Sequence, residues 1–517
     1  MSPEYTPKLA ASHINSGTSI ALDELNMAGG NKTVLRLPKL HLELDARLPA
    51  TCHGGITLLL SLWRQFNVAD TIDDKVSVLQ RHRPYHESDH VLAQVLNLFT
   101  GGTCIEDQAT LQQDLAVLRL LGSERFPDPT TSGDFLRRFD ERCNPGALDG
   151  LREATDQVRQ EVWSDLQKRH KRRKAKLGKW GLVDMDSHIA EFTSRQKEGA
   201  DFSYTGRWSY HPLLVSLANT SEVLAVRNRP GNVTSADGVE DLLDEQLPQV
   251  TEQFEHVVVR GDSAFDRASI RATCAQHGAH FATVARRRPG WVALAQDVPE
   301  EEWQDWLPPA RRRAERRRRR RGYRHRRKGI DQRSARATQR GYSTLSKHGQ
   351  WVTEVACRPT KKETDCRLII VRELIQHSQP ELQPVLIETY GYRYIITDLP
   401  DSFSPSDVVD QAYQRCDQEN IIEQLKNELA MWRMPVREAA GNDAWLEIAR
   451  LAWNIGKWLS LLALPLETLR WEWKRFRRSF VYVAAEVVLR SRQTWIRFNP
   501  SHRYIPTIMK AHRSLGP

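Results

Sequence analysis

Between about Leu35 and Lys168 the apolar positions recur at three-and-four spacing. In "GGITLLLSLWRQFNVADTIDD" and "SDHVLAQVLNLFTGG" they mark one face of a helix each. Ser88 or Asp89 is the expected N-cap of the second helix, and Gly101-Gly102 its stop. "DPTTSGDFLRRFDERC" follows the same logic, with a polar start and then Phe135, Leu136 and Phe139 on one side. Short helices with interspersed Arg and His suit a DNA-binding module, and they suit a plain helical bundle equally well.

The pattern changes at Trp180. "WGLVDMDSHIAEF" alternates, and "YTGRWSYHPLLVSLANTSEVLAVRNRPGN" reads as strands joined by Gly/Asn turns. A helix begun near Ser235 closes at "LDEQLPQV". "HVVVRGDSAF" is a short β-branched run, a buried strand that ends in a loop. The helix "RASIRATCAQH" and the strand "HFATVAR" complete a mixed α/β core with a central sheet. After Pro289, three strand-like pieces ("GQWVTEVACRP", "DCRLIIVREL", "YRYIITDLP") form a β-rich insertion, and helices resume from Asp407 to about Leu464. The expected divisions are an N-terminal arm (1–30), a helical DNA-binding region (31–175), the first part of the core (176–290), the insertion (291–400), the second part of the core (401–465) and a C-terminal region for dimerisation or DNA contact (466–517).

Composition narrows the class. A chain of 517 residues exceeds one core and suggests several domains. It lacks an apolar run of membrane length, since "LAWNIGKWLSLLALPL" is short and holds Lys457. Its start lacks the basic-then-apolar pattern of a signal peptide, so a cytoplasmic protein is expected. The seven cysteines are scattered and none sits in a CxxC, which argues for reduced thiols and against a cysteine zinc site. Cys357 and Cys366, joined by distant histidines, are the metal-ligand alternative.

Charge is concentrated. Of the net +10, the segment Arg311 to Lys328 contributes thirteen Arg/Lys against one Glu, about +12, so the remainder is near −2. Its core is Arg316, Arg317, Arg318, Arg319, Arg320 and Arg321. Read plainly, this is a solvated loop. Read functionally, it contacts a polyanion backbone.

Three acidic positions carry candidate chemistry. Side chains two apart on a strand share a face, so Asp184 and Asp186 fall together, with Val183 and Met185 on the opposite, buried side. Paired carboxylates repel unless a cation or water intervenes, although a solvent-facing strand edge gives the same pattern. Asp262 follows the end of a buried strand, where α/β sheets place their sites, and it could equally cap the next helix. In "YQRCDQENIIEQLKNELAMWRM", Arg415, Glu419 and Lys426 fall within about 40° on one helical face. A simple i,i+4 pair accounts for the first two and leaves Lys426 unexplained.

Taken together, these motifs resemble DDE transposases of bacterial insertion sequences, in the cut-and-paste branch with a β-strand insertion. The resemblance spans roughly residues 35–500. It rests on "VDMDSH", "QKEGADFSYTGRWSYHPLL", "RGDSAFD", the Tyr-Arg-Glu-Lys signature within "YQRCDQENIIEQLK", and "GNDAWLEIARLAWNIGKWL". It implies a ribonuclease-H-like α/β core interrupted by the β-rich insertion, with helical N- and C-terminal regions. It implies Asp186, Asp262 and Glu419 as catalytic metal ligands, with Asp184 as the alternative to Asp186. Two Mg²⁺ ions, replaceable by Mn²⁺, are the implied cofactors. Arg415, Lys426 and Tyr413 match DNA-contacting positions, and Trp351 is the candidate to receive a flipped base, against Trp291, Trp303 and Trp306. The sequence departs from the family in three places: one residue, not two, separates Tyr413 from Arg415; Ala264 replaces a Gly; and His188 replaces a Thr. The implied partners are transposon-end and target DNA and a second copy of the chain, in a bacterial cytoplasm near the nucleoid. The rivals are a metal-dependent nuclease on the same core and an inactive end-binding protein.

Overall fold

The computed structural model describes residues 50–309, 312, 346–360, 363–376, 389–491 and 493–516. The N-terminal arm and the arginines at 316–321 lie outside the described residues.

The helical part opens with α1 (Ile56–Gln65), α2 (Val68–Lys75) and α3 (Glu87–Thr100). Helix α3 starts two or three residues earlier than the sequence suggests. His86 is its N-cap, and Asp89, three positions in, accepts the His86 backbone N–H at 2.9 Å. Ser88 is already engaged, since its N–H and hydroxyl both donate to Asp73. Gly101 ends the helix at φ +101, a conformation that side-chain-bearing residues rarely adopt. A long helix, α4 (Ala147–Arg169), then leads to the sheet.

Five core strands follow: β1 (Trp180–Ser187), β2 (Leu213–Leu217), β3 (Glu222–Arg227), β4 (His256–Gly261) and β5 (His280–Ala285). Helix α5 (Val239–Gln253) connects β3 to β4, and α6 (Ala268–Gln276) connects β4 to β5. The order across the sheet is β3-β2-β1-β4-β5. The first three strands are antiparallel, while β4 and β5 run parallel to β1. This is the ribonuclease-H-like arrangement.

Strands β6 (Gln304–Asp305), β7 (Ser346–Cys357), β8 (Cys366–Gln376) and β9 (Thr389–Thr397) extend the same sheet, because β9 pairs antiparallel with β5. Tyr394 pairs with Ala285 at the end of β5, so residues 389–393 run past the carboxyl edge of the core strands. The inserted strands thus project at the end of the sheet where Asp186 and Asp262 lie.

Helices α7 (Pro405–Tyr413), α8 (Cys416–Asn427) and α9 (Ala439–Leu462) close the core. The α7 start is fixed by a reciprocal cap between Ser404 and Asp407. Helix α9 is buried over nearly its whole length, including Trp445, Trp453 and Trp458. Its two motif asparagines serve backbone. Asn454 accepts the Val223 N–H at 2.9 Å and donates to the Val223 carbonyl at 2.8 Å, pairing the edge strand β3 as another strand would. Asn442 makes the same two contacts with Val436. A helix, α10 (Trp473–Phe480), and a hairpin of β10 (Ala485–Arg490) and β11 (Gln493–Phe498) follow, with β10 pairing Ala50–Thr51.

Candidate active site

Strand β1 is central and covered on both faces. Val183 and Met185 are fully buried and Asp184 is 1% exposed. Asp184 therefore has no solvent face. Arg260 of β4 donates to both its oxygens, at 2.7 and 2.8 Å, and a third guanidinium bond runs to the Gln411 carbonyl at 2.9 Å. The carboxylate, the sequence's alternative to Asp186, is engaged in a bidentate pair that locks β1 to β4. The sharing of a face with Asp186 holds, but only the second acid lies beyond the covered region.

Asp186 ends β1. Its Oδ1 accepts the Ser187 N–H at 2.8 Å, and its Oδ2 accepts from Arg415 at 3.1 Å. Asp184 faces Arg260 in the β1–β4 register, so two further residues along each parallel strand bring Asp186 beside Asp262. Burial pushes the Asp186 carboxyl above its ordinary range; Arg415 opposes the shift and the negative charge of Asp262 adds to it. Asp262 caps the short turn Ser263–Phe265, accepting the Ala264 N–H at 2.8 Å, while the next helix, α6, has Arg267 at its N-cap. Ala264 in place of Gly leaves that bond intact.

Glu419 comes from α8. The preceding residue, Gln418, is fully buried and donates to the Asp184 carbonyl at 3.0 Å. The helix is thus bolted to β1 two residues from Asp186. Glu419 projects outward, 63% exposed, and the Arg415 guanidinium lies 3.9 Å from it while holding Asp186. Asp186, Ser187, His188, Glu419, Glu423 and Lys426 line one cleft of about 360 Å³. Burial, reinforced by Lys426, lowers His188 to about 4, so it is neutral at pH 7. His188 packs against Trp432 with the rings tilted by 31° and their centroids 5.2 Å apart.

Three hard-oxygen side chains, one of them buried beside a second acid, match the donor set for a divalent cation of the Mg²⁺ class. Their oxygens are not yet closed around a single point: among the described residues, the group whose ligand atoms all fall within 4.8 Å is His82, His86 and Glu87. Arg415 spans two of the three acids in this state.

Other predicted contacts lie elsewhere. Tyr413 does not line the cleft. It packs against Trp306 at 5.5 Å, and its hydroxyl accepts from Arg393 at 3.2 Å. Trp351 belongs to a cluster on the projecting strands, where the Arg372 guanidinium lies 4.3 Å from Trp303, 5.0 Å from Trp351 and 4.5 Å from Tyr390. Trp303 and Trp306 are buried, as is Trp291. Cys357 and Cys366 are cross-strand neighbours with sulfurs 3.6 Å apart, and no third metal ligand joins them among the described residues. Sequence reasoning missed Arg260 and Gln418. The signal for the first was an arginine inside the apolar run "HVVVRGD", which demands a buried counter-charge.

The sequence matches the family model described as transposase DDE domain, group 1, over residues 46–516. The chain belongs to that transposase family. A search of curated proteins found no match. Among solved structures, the transposase is similar to a piggyBac transposase synaptic complex with hairpin DNA, at 11% identity, covering 83% of this chain and 84% of that one, with a TM-score of 0.33. That overlap is too low to carry an argument about this chain. Family membership makes the transposase a DNA-cleaving enzyme of the divalent-metal type. No described helix is long and apolar enough to cross a membrane.

Proposed function

We propose that the transposase cuts its own element from DNA and joins it to a target, using Asp186, Asp262 and Glu419 as the catalytic carboxylates. The observation that carries this is the meeting of Asp186 and Glu419 in one cleft, with Arg415 between them and Asp262 on the neighbouring strand. Two Mg²⁺ ions, or Mn²⁺ in their place, would be held by these acids and supply an activated water or 3′-hydroxyl and a counter-charge for the leaving oxygen. Arg415 opposes the effect of burial on Asp186, favouring its ionised form, and orients it. Lys426 at the cleft mouth meets the phosphate backbone, and neutral His188 adds no competing positive charge. Gln418 sets the depth of α8 and so the reach of Glu419.

The reaction begins with water attack at the element's end, which frees a 3′-hydroxyl. That hydroxyl attacks the opposite strand, giving a hairpin and releasing the flanking DNA; a second water opens the hairpin and regenerates the 3′-hydroxyl, which then attacks the target. The projecting strands, with Trp351 at a half-buried position, are assigned to DNA ends near the cleft, and the Arg-rich segment to backbone contact. The helical region 31–175 is assigned to end binding, and the C-terminal region 466–517 to pairing of two copies in the synaptic complex. The setting is a bacterial cytoplasm at the nucleoid.

The test uses DNA from the flanks of the gene. Purified protein should nick and join end fragments in Mg²⁺, while Glu419→Gln or Asp262→Asn binds the same DNA without cutting it. Cleavage without joined product would assign a nuclease instead. Cleavage retained in either variant would overturn the residue assignment.

A further inference from the structure

We propose that His82, His86 and Glu87 form a second cation site, of the class that takes Zn²⁺, separate from the carboxylate cleft. One ligand atom from each residue lies within 4.8 Å of the others. His82 Nδ1 is 3.2 Å from Glu87 Oε2, and the two imidazoles stack with centroids 5.1 Å apart.

Glu87 is the anchor. Its side chain is 1% exposed, a costly position for a carboxylate without partners. Oε1 accepts two backbone N–H groups, from Val78 and Leu79, each at 3.0 Å. The carboxylate is thereby fixed, with Oε2 aimed at the imidazoles. Backbone donors of this kind orient a metal ligand from behind. His86 is fixed as well, since its backbone N–H is held by Asp89 at 2.9 Å.

An ordinary ion pair between His82 and Glu87 explains two of the three residues. The His86 ring, held at the N-cap of α3 and stacked on His82, adds a third donor at the same point. Two imidazole nitrogens and a carboxylate oxygen at this spacing can share one metal ion. Two imidazoles and one carboxylate, with a water in the fourth position, form a familiar Zn²⁺ set, while Mg²⁺ favours all-oxygen surroundings. The positive end of α3 disfavours a cation there, and Glu87 and Asp89 in its first turn offset that. An occupied site would clamp the 76–86 segment, which joins α2 to α3, onto the first turn of α3.

The experiment uses the full chain, with the cleft silenced by Asp186→Asn, Asp262→Asn and Glu419→Gln, stripped of metal and then titrated with Zn²⁺ alone in equilibrium dialysis. One Zn²⁺ per chain is expected. Adding His82→Ala and His86→Gln should weaken binding by about 100-fold or more, and only the parent should show the visible bands of four-coordinate Co²⁺. Both rings are exposed, so circular dichroism should confirm that the variant folds. Equal Zn²⁺ affinity with and without the histidines, or no binding by the parent, would overturn the proposal.

Discussion

Asp184→Asn is the substitution that separates structure from chemistry at this site. Asp184 and Arg260 are each 1% exposed, and their two hydrogen bonds are 2.7 and 2.8 Å long. An amide at position 184 keeps the volume and removes the charge, leaving the Arg260 guanidinium buried and uncompensated. Breaking a buried pair in this way costs about 3–5 kcal/mol. Arg260→Met strands the carboxylate and should cost a similar amount. Asp184→Leu strands Arg260 in the same way, and the double variant Asp184→Leu/Arg260→Met removes both charges; such replacements range from neutral to about 1–4 kcal/mol stabilising. With Asp184→Leu and Arg260→Met as the single variants, the coupling energy across the cycle should therefore reach about 6 kcal/mol or more, above the usual range for residues in contact. Urea unfolding followed by tryptophan fluorescence measures it. A second readout concerns activity. At a temperature where it stays folded, Asp184→Asn should still cleave end DNA, and Asp186→Asn should not. Single substitutions that cost under about 1 kcal/mol, or a folded Asp184→Asn protein that fails to cleave, would refute this reasoning.

Further outcomes follow from the same geometry. Arg415→Ala removes the cation 3.1 Å from Asp186, whose carboxyl burial already raises, so the pH at which it ionises should rise further. Cleavage needs the ionised form, so the acidic limb of the pH–rate profile should move to higher pH; an unmoved limb would contradict the role given to Arg415. Burial lowers Lys457 from 10.5 to about 7, with Nζ 3.1 Å from the Leu469 carbonyl and 4.1 Å from the Trp453 ring centre. Its folded value lies below its unfolded one, so charging it costs stability in full below pH 7 and progressively less between 7 and 10.5. Lys457→Met should raise the melting temperature most near pH 6 and lose that gain as pH climbs towards 10, and a pH-independent effect would argue against a charge penalty. Gln418→Ala leaves the Asp184 carbonyl without this donor and should cost about 1–3 kcal/mol, with cleavage falling more than DNA binding; equal loss of both would deny it a positioning role.

Much of the fold was legible because its signals are local. The β-branched run "HVVVRG" and the alternation in "WGLVDMDS" mark two central strands from periodicity alone. The stripe of Arg415, Glu419 and Lys426 correctly placed cations beside a carboxylate, since helical phase depends only on spacing. What could not be read was pairing across the chain. Asp184 and Asp186 look alike in sequence, and only the register of β1 against β4 gives the first to Arg260 and leaves the second at the strand end. The start of α3 was misread because Ser88 looks like a cap until Asp73, distant in sequence, claims it. Tyr413 shares a motif with Arg415, yet the end of α7 turns it towards Arg393 and Trp306. The joining of β9 to β5 was likewise invisible, because strand order is a long-range property.

The account turns on whether Asp186, Asp262 and Glu419 jointly bind the ions that cleave DNA. Crystals of the transposase with its end DNA and Mn²⁺, measured at the manganese absorption edge, test this directly. The prediction is a pair of anomalous peaks about 3.5–4 Å apart, in contact with oxygens of all three side chains. Peaks elsewhere, with these three carboxylates bare while the DNA end sits in the cleft, would contradict it.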